Sequence, residues 1–130
     1  MDMKLELVPI PVTDVDRAKA FYAEQLGFVV DVDVRPAEGV RVVQLTPPGS
    51  ACSIGLGTGL EAYDAVPGSV RALHLVVDDI EKARAELIGR GVAVSEVQDV
   101  GGGVLYAGLE DPDGNTLELQ QMPWRTGEAF

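Results

Sequence analysis

Apolar residues recur along the chain with two different spacings. Several short stretches are apolar at every second residue, a pattern typical of half-buried β-strands. Two longer stretches, which open at Asp14 and Asp79, carry apolar residues at helical spacing after a good N-capping side chain. Gly27 and Gly91 follow these stretches and predict left-handed helix ends. The predicted strands are residues 5–12, 28–34, 39–46, 51–56, 70–77, 92–98, 103–109 and 116–121.

The two helical stretches belong to an internal repeat. Residues 12–20, VTDVDRAKA, align with residues 77–85, VDDIEKARA, at an offset of 65 in a chain of 130 residues. Each half therefore has the predicted element order βαβββ. We expect one domain over residues 1–130, built from two modules, a linker and a C-terminal tail. These parts are module one over 4–57, the linker over 58–69, module two over 70–121 and the tail over 122–130.

Charge excludes two classes of partner. The chain has 10 Lys and Arg against 21 Asp and Glu, a net charge of −11 at pH 7. Nucleic acids and anionic membrane surfaces attract cationic proteins, so we expect neither as a partner. The single cysteine, Cys52, cannot form an internal disulfide, and the N-terminus lacks the pattern of a signal peptide. The sequence therefore predicts a cytoplasmic protein.

Two motifs resemble those of a known group of proteins. V-x-D-[VI]-[DE]-[RK]-A opens each helical stretch, and residues 111–119 are DPDGNTLEL, a tight turn followed by a half-buried strand. With the repeat, these motifs resemble the vicinal oxygen chelate superfamily, which includes glyoxalases, extradiol dioxygenases and bleomycin-resistance proteins. The resemblance implies an α+β fold in which two βαβββ modules form an open cup of mixed sheet, with the helices outside.

The resemblance also implies four positions that hold metal ligands in the metal-using members. Two lie seven residues before the helix-capping aspartates, at Leu7 and Ala72 in this sequence, and two lie on the last strand of each module, at Ser53 and Glu118. Leucine and alanine side chains offer no lone pair to a metal, and a serine hydroxyl is a poor ligand. We therefore expect no metal centre of this type and no other cofactor.

His74 is the only histidine of the sequence and lies two residues after Ala72. Three interpretations of this residue are open: a hydrogen bond with a carboxylate such as Glu118, contact with a ligand, or a displaced metal pair with Glu118. Because imidazole titrates near neutrality, a general acid–base role is a further option.

Alternation along the strands predicts which side chains face the interior of the cup. The large apolar residues are expected on the helix side, so the residues between them face the other way. The predicted ligand-binding residues are His74, Glu118, Gln120, Tyr106, Gln44 and Ser53. A lining of polar groups on an apolar wall is typical of a small-molecule pocket, and the alternative is that these side chains only pack against one another.

Three functions are open, and we favour the first. It is a metal-independent small-molecule-binding protein of the bleomycin-resistance kind, which sequesters a drug or natural product. The second is a lyase, isomerase or dioxygenase with a divergent site that uses His74 and Glu118, and the third is an accessory domain without a ligand. The missing metal ligands and an acidic surface suited to cationic compounds favour binding.

Assembly is predicted from the resemblance and from the C-terminal region. Two-module members of the superfamily are often homodimers, so the resemblance implies a homodimer here. Trp124, just beyond the last predicted strand, either contributes to that interface or folds over its own module.

Overall fold

The computed structural model describes residues 1–125, which divide into two compact units. Unit 1 comprises residues 1–70 and the turn 111–115, and unit 2 comprises residues 71–110 and the chain from residue 116 on. Each unit contains one four-stranded mixed sheet and one longer helix, in the predicted order βαβββ. The α+β class and the two modules are therefore confirmed. Within residues 1–125, no helix has both the length and the apolar character needed to cross a membrane.

The helix of unit 1 begins and ends where the sequence predicts. Helix α1, Val15–Ala20, follows Asp14, whose carboxylate accepts a hydrogen bond from Arg17 N at 3.1 Å. A wider π-helical turn, Phe21–Gln25, continues it, and Gly27 follows with a φ of 79°. The strands are β1 Leu7–Pro9, β2 Val29–Ala37, β3 Val40–Thr46 and β4 Ser53–Thr58.

The sheet of unit 1 has the spatial order β1-β4-β3-β2, with β1 parallel to β4 and the other pairs antiparallel. Its apolar core lies on the face towards α1. Val43 and Leu45 on β3 are buried there together with Leu56 on β4, whereas Gln44 points to the opposite face. The predicted alternation of core-facing and outward-facing side chains is therefore confirmed for β3. Each fully buried aliphatic side chain stabilises the fold by about 1.5–3 kcal/mol.

Buried hydrogen bonds attach the turn Asp111–Asn115 to the rest of unit 1. One carboxylate oxygen of Asp111 accepts from the Tyr22 hydroxyl at 2.9 Å and from Asn115 Nδ2 at 2.8 Å. Asn115 Nδ2 also donates to the Pro11 carbonyl at 2.9 Å. Burial and the neighbouring Asp111 carboxylate raise the pKa of the Tyr22 phenol. The tight turn predicted from the sequence is thus also a packing element.

Unit 2 repeats the plan. Helix α2, Ile80–Gly89, follows Asp79, whose carboxylate accepts from Lys82 N at 3.1 Å, and Gly91 has a φ of 86°. The predicted helix start and end are therefore confirmed here too. The strands are β5 Leu73–Val76, β6 Gln98–Asp99, β7 Leu105–Glu110 and β8 Thr116–Gln121, in the spatial order β5-β8-β7-β6.

One predicted strand of unit 2 is largely wrong. Of the predicted strand 92–98, only Gln98 belongs to a strand, β6. The buried Val92 and Val94 produce a strand-like alternation. Arg84 of α2 binds this segment through its guanidinium, which donates to the Ser95 carbonyl at 2.7 Å. An alternating apolar pattern therefore reflects burial at this place and not a strand ladder.

Candidate functional site

One face of the unit 2 sheet carries polar side chains opposite the apolar core. Leu117 on β8 is 2% exposed on the core side, so the neighbouring Glu118 points to the other face, as does Gln120. Strand β5 pairs His74 with Glu118, and β7 pairs Tyr106 with Gln120. The structure therefore brings four of the six predicted site residues together on one sheet face.

His74 lies beside both Glu118 and Tyr106. Its Nε2 is 3.7 Å from Glu118 Oε2, which is ion-pair range but longer than a hydrogen bond. Its ring meets Tyr106 edge-on, with centroids 5.9 Å apart and an interplanar angle of 87°. Gln120 Nε2 donates to the Tyr106 hydroxyl at 2.9 Å, and His74 Nδ1 contacts the Ala72 carbonyl. The cluster presents a carboxylate, an imidazole and a phenol on one surface.

The other two predicted residues lie in unit 1, in a row of hydrogen-bonded side chains on the face opposite α1. Gln44 Nε2 donates to Ser53 Oγ at 3.1 Å and to Glu6 Oε1 at 3.2 Å. The hydroxyls of Ser53 and Thr46 are 2.6 Å apart, and Thr46 donates to the Asp31 carboxylate. The row therefore has a carboxylate at each end and amide and hydroxyl groups between them.

Three members of this row were not predicted from the sequence. Glu6 falls within the predicted strand 5–12, but β1 begins only at Leu7. Thr46 has the parity of Gln44 on β3, and this parity is the signal that could have found it. Asp31 lies where the β2–β3 register shifts between Val30 and Val32, which alternation along the strand does not predict.

Strand pairing shows which residues of this structure occupy the four metal-ligand positions that the family resemblance implies. In unit 1, Leu7 on β1 pairs with Ser53 on β4. In unit 2, the residue that pairs with Glu118 is His74, whereas Ala72 precedes β5 with a left-handed φ of 56°. His74, rather than Ala72, is thus the structural counterpart of Leu7.

Chain length between strand and helix explains this shift. The helix cap Asp14 lies seven positions after Leu7, whereas Asp79 lies only five positions after His74. Counting seven positions back from Asp79 therefore gives Ala72, which lies before the start of β5.

The residues at these positions do not fit the divalent metal of the metal-using members. His74 and Glu118 carry donor atoms, but Leu7 offers none and the Ser53 hydroxyl is engaged with Gln44 and Thr46. Catalytic zinc sites use three protein ligands. In the part of the chain that the structure describes, no group of three His, Cys, Asp or Glu side chains could hold a metal ion.

A separate cleft of about 770 Å³ lies in unit 1, beside the start of α1, and its lining includes none of the predicted site residues. Arg41 lines it with a side chain that is 11% exposed. Its guanidinium donates to Asp33 at 3.0 and 3.1 Å and to Asp16 at 2.7 Å. Arg41, together with Lys19, holds the pKa of Asp33 well below its usual range. The charges here satisfy one another and tie α1 to the sheet.

Comparison with known proteins shows the family to which this chain belongs. A family model described as the Glyoxalase/Bleomycin resistance protein/Dioxygenase superfamily matches residues 4–119. No curated protein matches the chain significantly.

Several solved structures share the fold over nearly the whole chain. TnmS3, an antibiotic binding protein from Streptomyces sp. CB03234, is 35% identical with a TM-score of 0.81, covering 94% of this chain and 98% of its own. A glyoxalase/bleomycin resistance protein from the same strain is 36% identical with a TM-score of 0.76, covering 91% and 100%. A superfamily member from Sphaerobacter thermophilus DSM 20745 is 29% identical with a TM-score of 0.80, covering 92% and 98%. This chain belongs to the glyoxalase/bleomycin resistance protein/dioxygenase superfamily.

Proposed function

We propose that this protein binds a small-molecule antibiotic or related natural product without a metal, and so sequesters it. The observation that carries the proposal is the similarity to TnmS3, an antibiotic binding protein, at 35% identity over 94% of this chain. The incomplete donor set around His74 and Glu118 supports binding without a metal, because two donors do not make a metal centre.

The chemistry of the polar faces supports a ligand that carries a basic amine. Glu118 in unit 2 and Glu6 in unit 1 supply carboxylates, and Tyr106 and Gln44 supply hydroxyl and amide groups near them. The net charge of −11 attracts cations over the whole surface. We therefore expect a cationic compound to bind more tightly than its neutral counterpart.

Isothermal titration calorimetry with two pairs of compounds tests the proposal. Metal-free bleomycin and daunorubicin carry basic amines, and bleomycinic acid and daunomycinone are counterparts that lack the terminal amine or the amino sugar. We expect a Kd of about 1 μM or tighter for at least one amine compound, which corresponds to about −8 kcal/mol. Binding that survives EDTA supports metal independence. Absence of binding to all four compounds would contradict the proposal.

The pairing of His74 with Glu118 favours a second candidate function, acid–base catalysis of a lyase or isomerase type. An imidazole beside a carboxylate can accept a proton from a bound compound and return it. Liquid chromatography of the compound recovered after incubation separates the two functions. An unchanged compound supports sequestration, whereas a new product that His74→Gln abolishes supports catalysis.

We also propose that the protein is a cytoplasmic homodimer. The outer strands of the two sheets, β1 and β2 in unit 1 and β5 and β6 in unit 2, have edges of the kind that proteins often cover by association. The 66% exposure of Trp124 supports the dimer, because the ring is available to an interface. Light scattering should give twice 13.8 kDa, about 27.6 kDa, and a mass near 13.8 kDa at tens of micromolar would refute the dimer.

A further inference from the structure

Tyr63 packs against Gly55 and Gly57 of strand β4 in unit 1, which together are called the glycine strip. Strand β4 places Ser53, Gly55 and Gly57 on the face opposite the core, and the two glycines leave that face without side chains. A Cβ atom at Gly57 would lie 2.6 and 2.7 Å from two ring carbons of Tyr63, and a Cβ at Gly55 would lie 3.1 Å from its hydroxyl oxygen. The aromatic ring therefore packs directly on the glycine strip, where any larger residue would displace it.

The ring reaches the sheet from the predicted linker, residues 58–69. Glu61–Tyr63 forms a single helical turn after β4, in which Tyr63 N donates to the Leu60 carbonyl at 3.0 Å. Leu60 itself is exposed, whereas Tyr63 is half-buried. Tyr63 is thus the side chain by which this turn contacts the polar face of unit 1.

The hydroxyl end of Tyr63 meets both apolar and polar neighbours. The Leu7 side chain borders the same glycine, with a methyl carbon 2.9 Å from a Cβ built at Gly55. Burial and the Glu6 carboxylate raise the pKa of the Tyr63 phenol, so it keeps its proton at neutral pH. Glu6 in turn accepts from Gln44 at 3.2 Å. An aromatic face, an aliphatic side chain, a phenol and a carboxylate therefore occupy one small region.

We propose that Tyr63 forms the wall of a ligand subsite in unit 1 and determines which compounds bind there. The face of its ring that is turned away from the glycine strip offers an aromatic surface, and Glu6 adds negative charge beside it. These groups suit a natural product that presents an apolar ring next to a protonated amine. The inference rests on the proposed binding function and names a residue on which the selectivity of that function depends.

Titration of Tyr63→Ala and Tyr63→Phe with daunorubicin, daunomycinone, metal-free bleomycin and bleomycinic acid tests the inference. For whichever amine compound the wild-type protein binds, we expect Tyr63→Ala to raise the Kd by about tenfold or more, because the aromatic wall is lost. Tyr63→Phe keeps the ring and should raise the Kd by only a few-fold. Leu60→Ala is the matched control on the same turn and should leave the Kd unchanged.

The outcomes separate this inference from the proposed function. A wild-type protein that binds none of the four compounds refutes the proposed function and the subsite with it. A wild-type protein that binds, with an equal or lower Kd for Tyr63→Ala, refutes the subsite alone, and a lower Kd would mean that the ring blocks the site. Should Tyr63→Ala fail to fold, Tyr63→Leu keeps apolar bulk without the aromatic ring and gives the same comparison.

Discussion

His74 on β5 lies directly opposite Glu118 on β8, with Nε2 3.7 Å from Oε2. Leu7 and Ser53 hold the same register in unit 1. Equivalent backbone positions in the two units therefore carry different chemistry. Unit 2 has an imidazole beside a carboxylate, whereas unit 1 has an aliphatic side chain beside a hydrogen-bonded hydroxyl.

Glu118→Gln should weaken the binding of daunorubicin far more than that of daunomycinone. The carboxylate attracts the ammonium group, and a lost charge-assisted hydrogen bond costs about 1.5–3 kcal/mol, or tenfold to a hundredfold in affinity. Calorimetry measures both values. Glu110→Gln, an exposed position on β7, removes the same charge and serves as the control. An equal loss for the two compounds would show that Glu118 does not contact the amine.

Added metal should not stabilise the protein. Zinc, nickel or manganese at saturating concentration should raise the melting temperature by no more than about a degree, because a metal bound only to the folded state would add several kcal/mol. Differential scanning fluorimetry and metal analysis of the purified protein provide the measurements. A near-stoichiometric metal that His74→Gln removes would contradict binding without a metal.

Asp33→Asn should destabilise the protein at pH 7 and much less at pH 2. Arg41 and Lys19 lower the pKa of Asp33 in the folded state. Because the pKa of Asp33 is lower in the folded state than in the unfolded state, where it is about 4, the ionised carboxylate stabilises the fold fully at pH values above about 4. This stabilisation decreases below about pH 4 and is lost as the pH falls through the folded-state pKa. We expect a loss of about 1–3 kcal/mol at pH 7, since Arg41 loses a two-bond partner.

Urea unfolding at both pH values tests the Asp33 prediction. Asp2→Asn, in the exposed N-terminal segment, removes the same charge without breaking an ion pair of this cluster. A stability difference between wild type and Asp33→Asn that is as large at pH 2 as at pH 7 would mean that the loss is not electrostatic.

Tyr22→Phe should destabilise the fold by about 1.5–3 kcal/mol, because the buried Asp111 carboxylate loses a donor at 2.9 Å while the aromatic ring is kept. Asn115→Ala should cost more, since it removes the bonds from Asn115 Nδ2 to both Asp111 and the Pro11 carbonyl. Thermal and urea unfolding measure the losses. A cost below about 0.5 kcal/mol for both variants would show that the turn is not held by this network.

The sequence alone determined the helices and the faces of the longer strands, because those features depend on local chemistry. Asp14 and Asp79 cap the helices through their own carboxylates, and Gly27 and Gly91 adopt left-handed conformations. Alternation along β8 placed Glu118 opposite the core without knowledge of its partners. These effects span one to four residues, so a single sequence reveals them.

Only the tertiary structure decided which residues meet. That His74 rather than Ala72 lies opposite Glu118 follows from strand pairing and from a connection shorter than that of unit 1. Tyr63 contacts the glycines of β4 because the chain turns back after that strand. Arg84 binds residues 94–95, where alternation predicted a strand. Each of these contacts depends on the register and path of segments distant in the chain, and a local pattern carries no information about either.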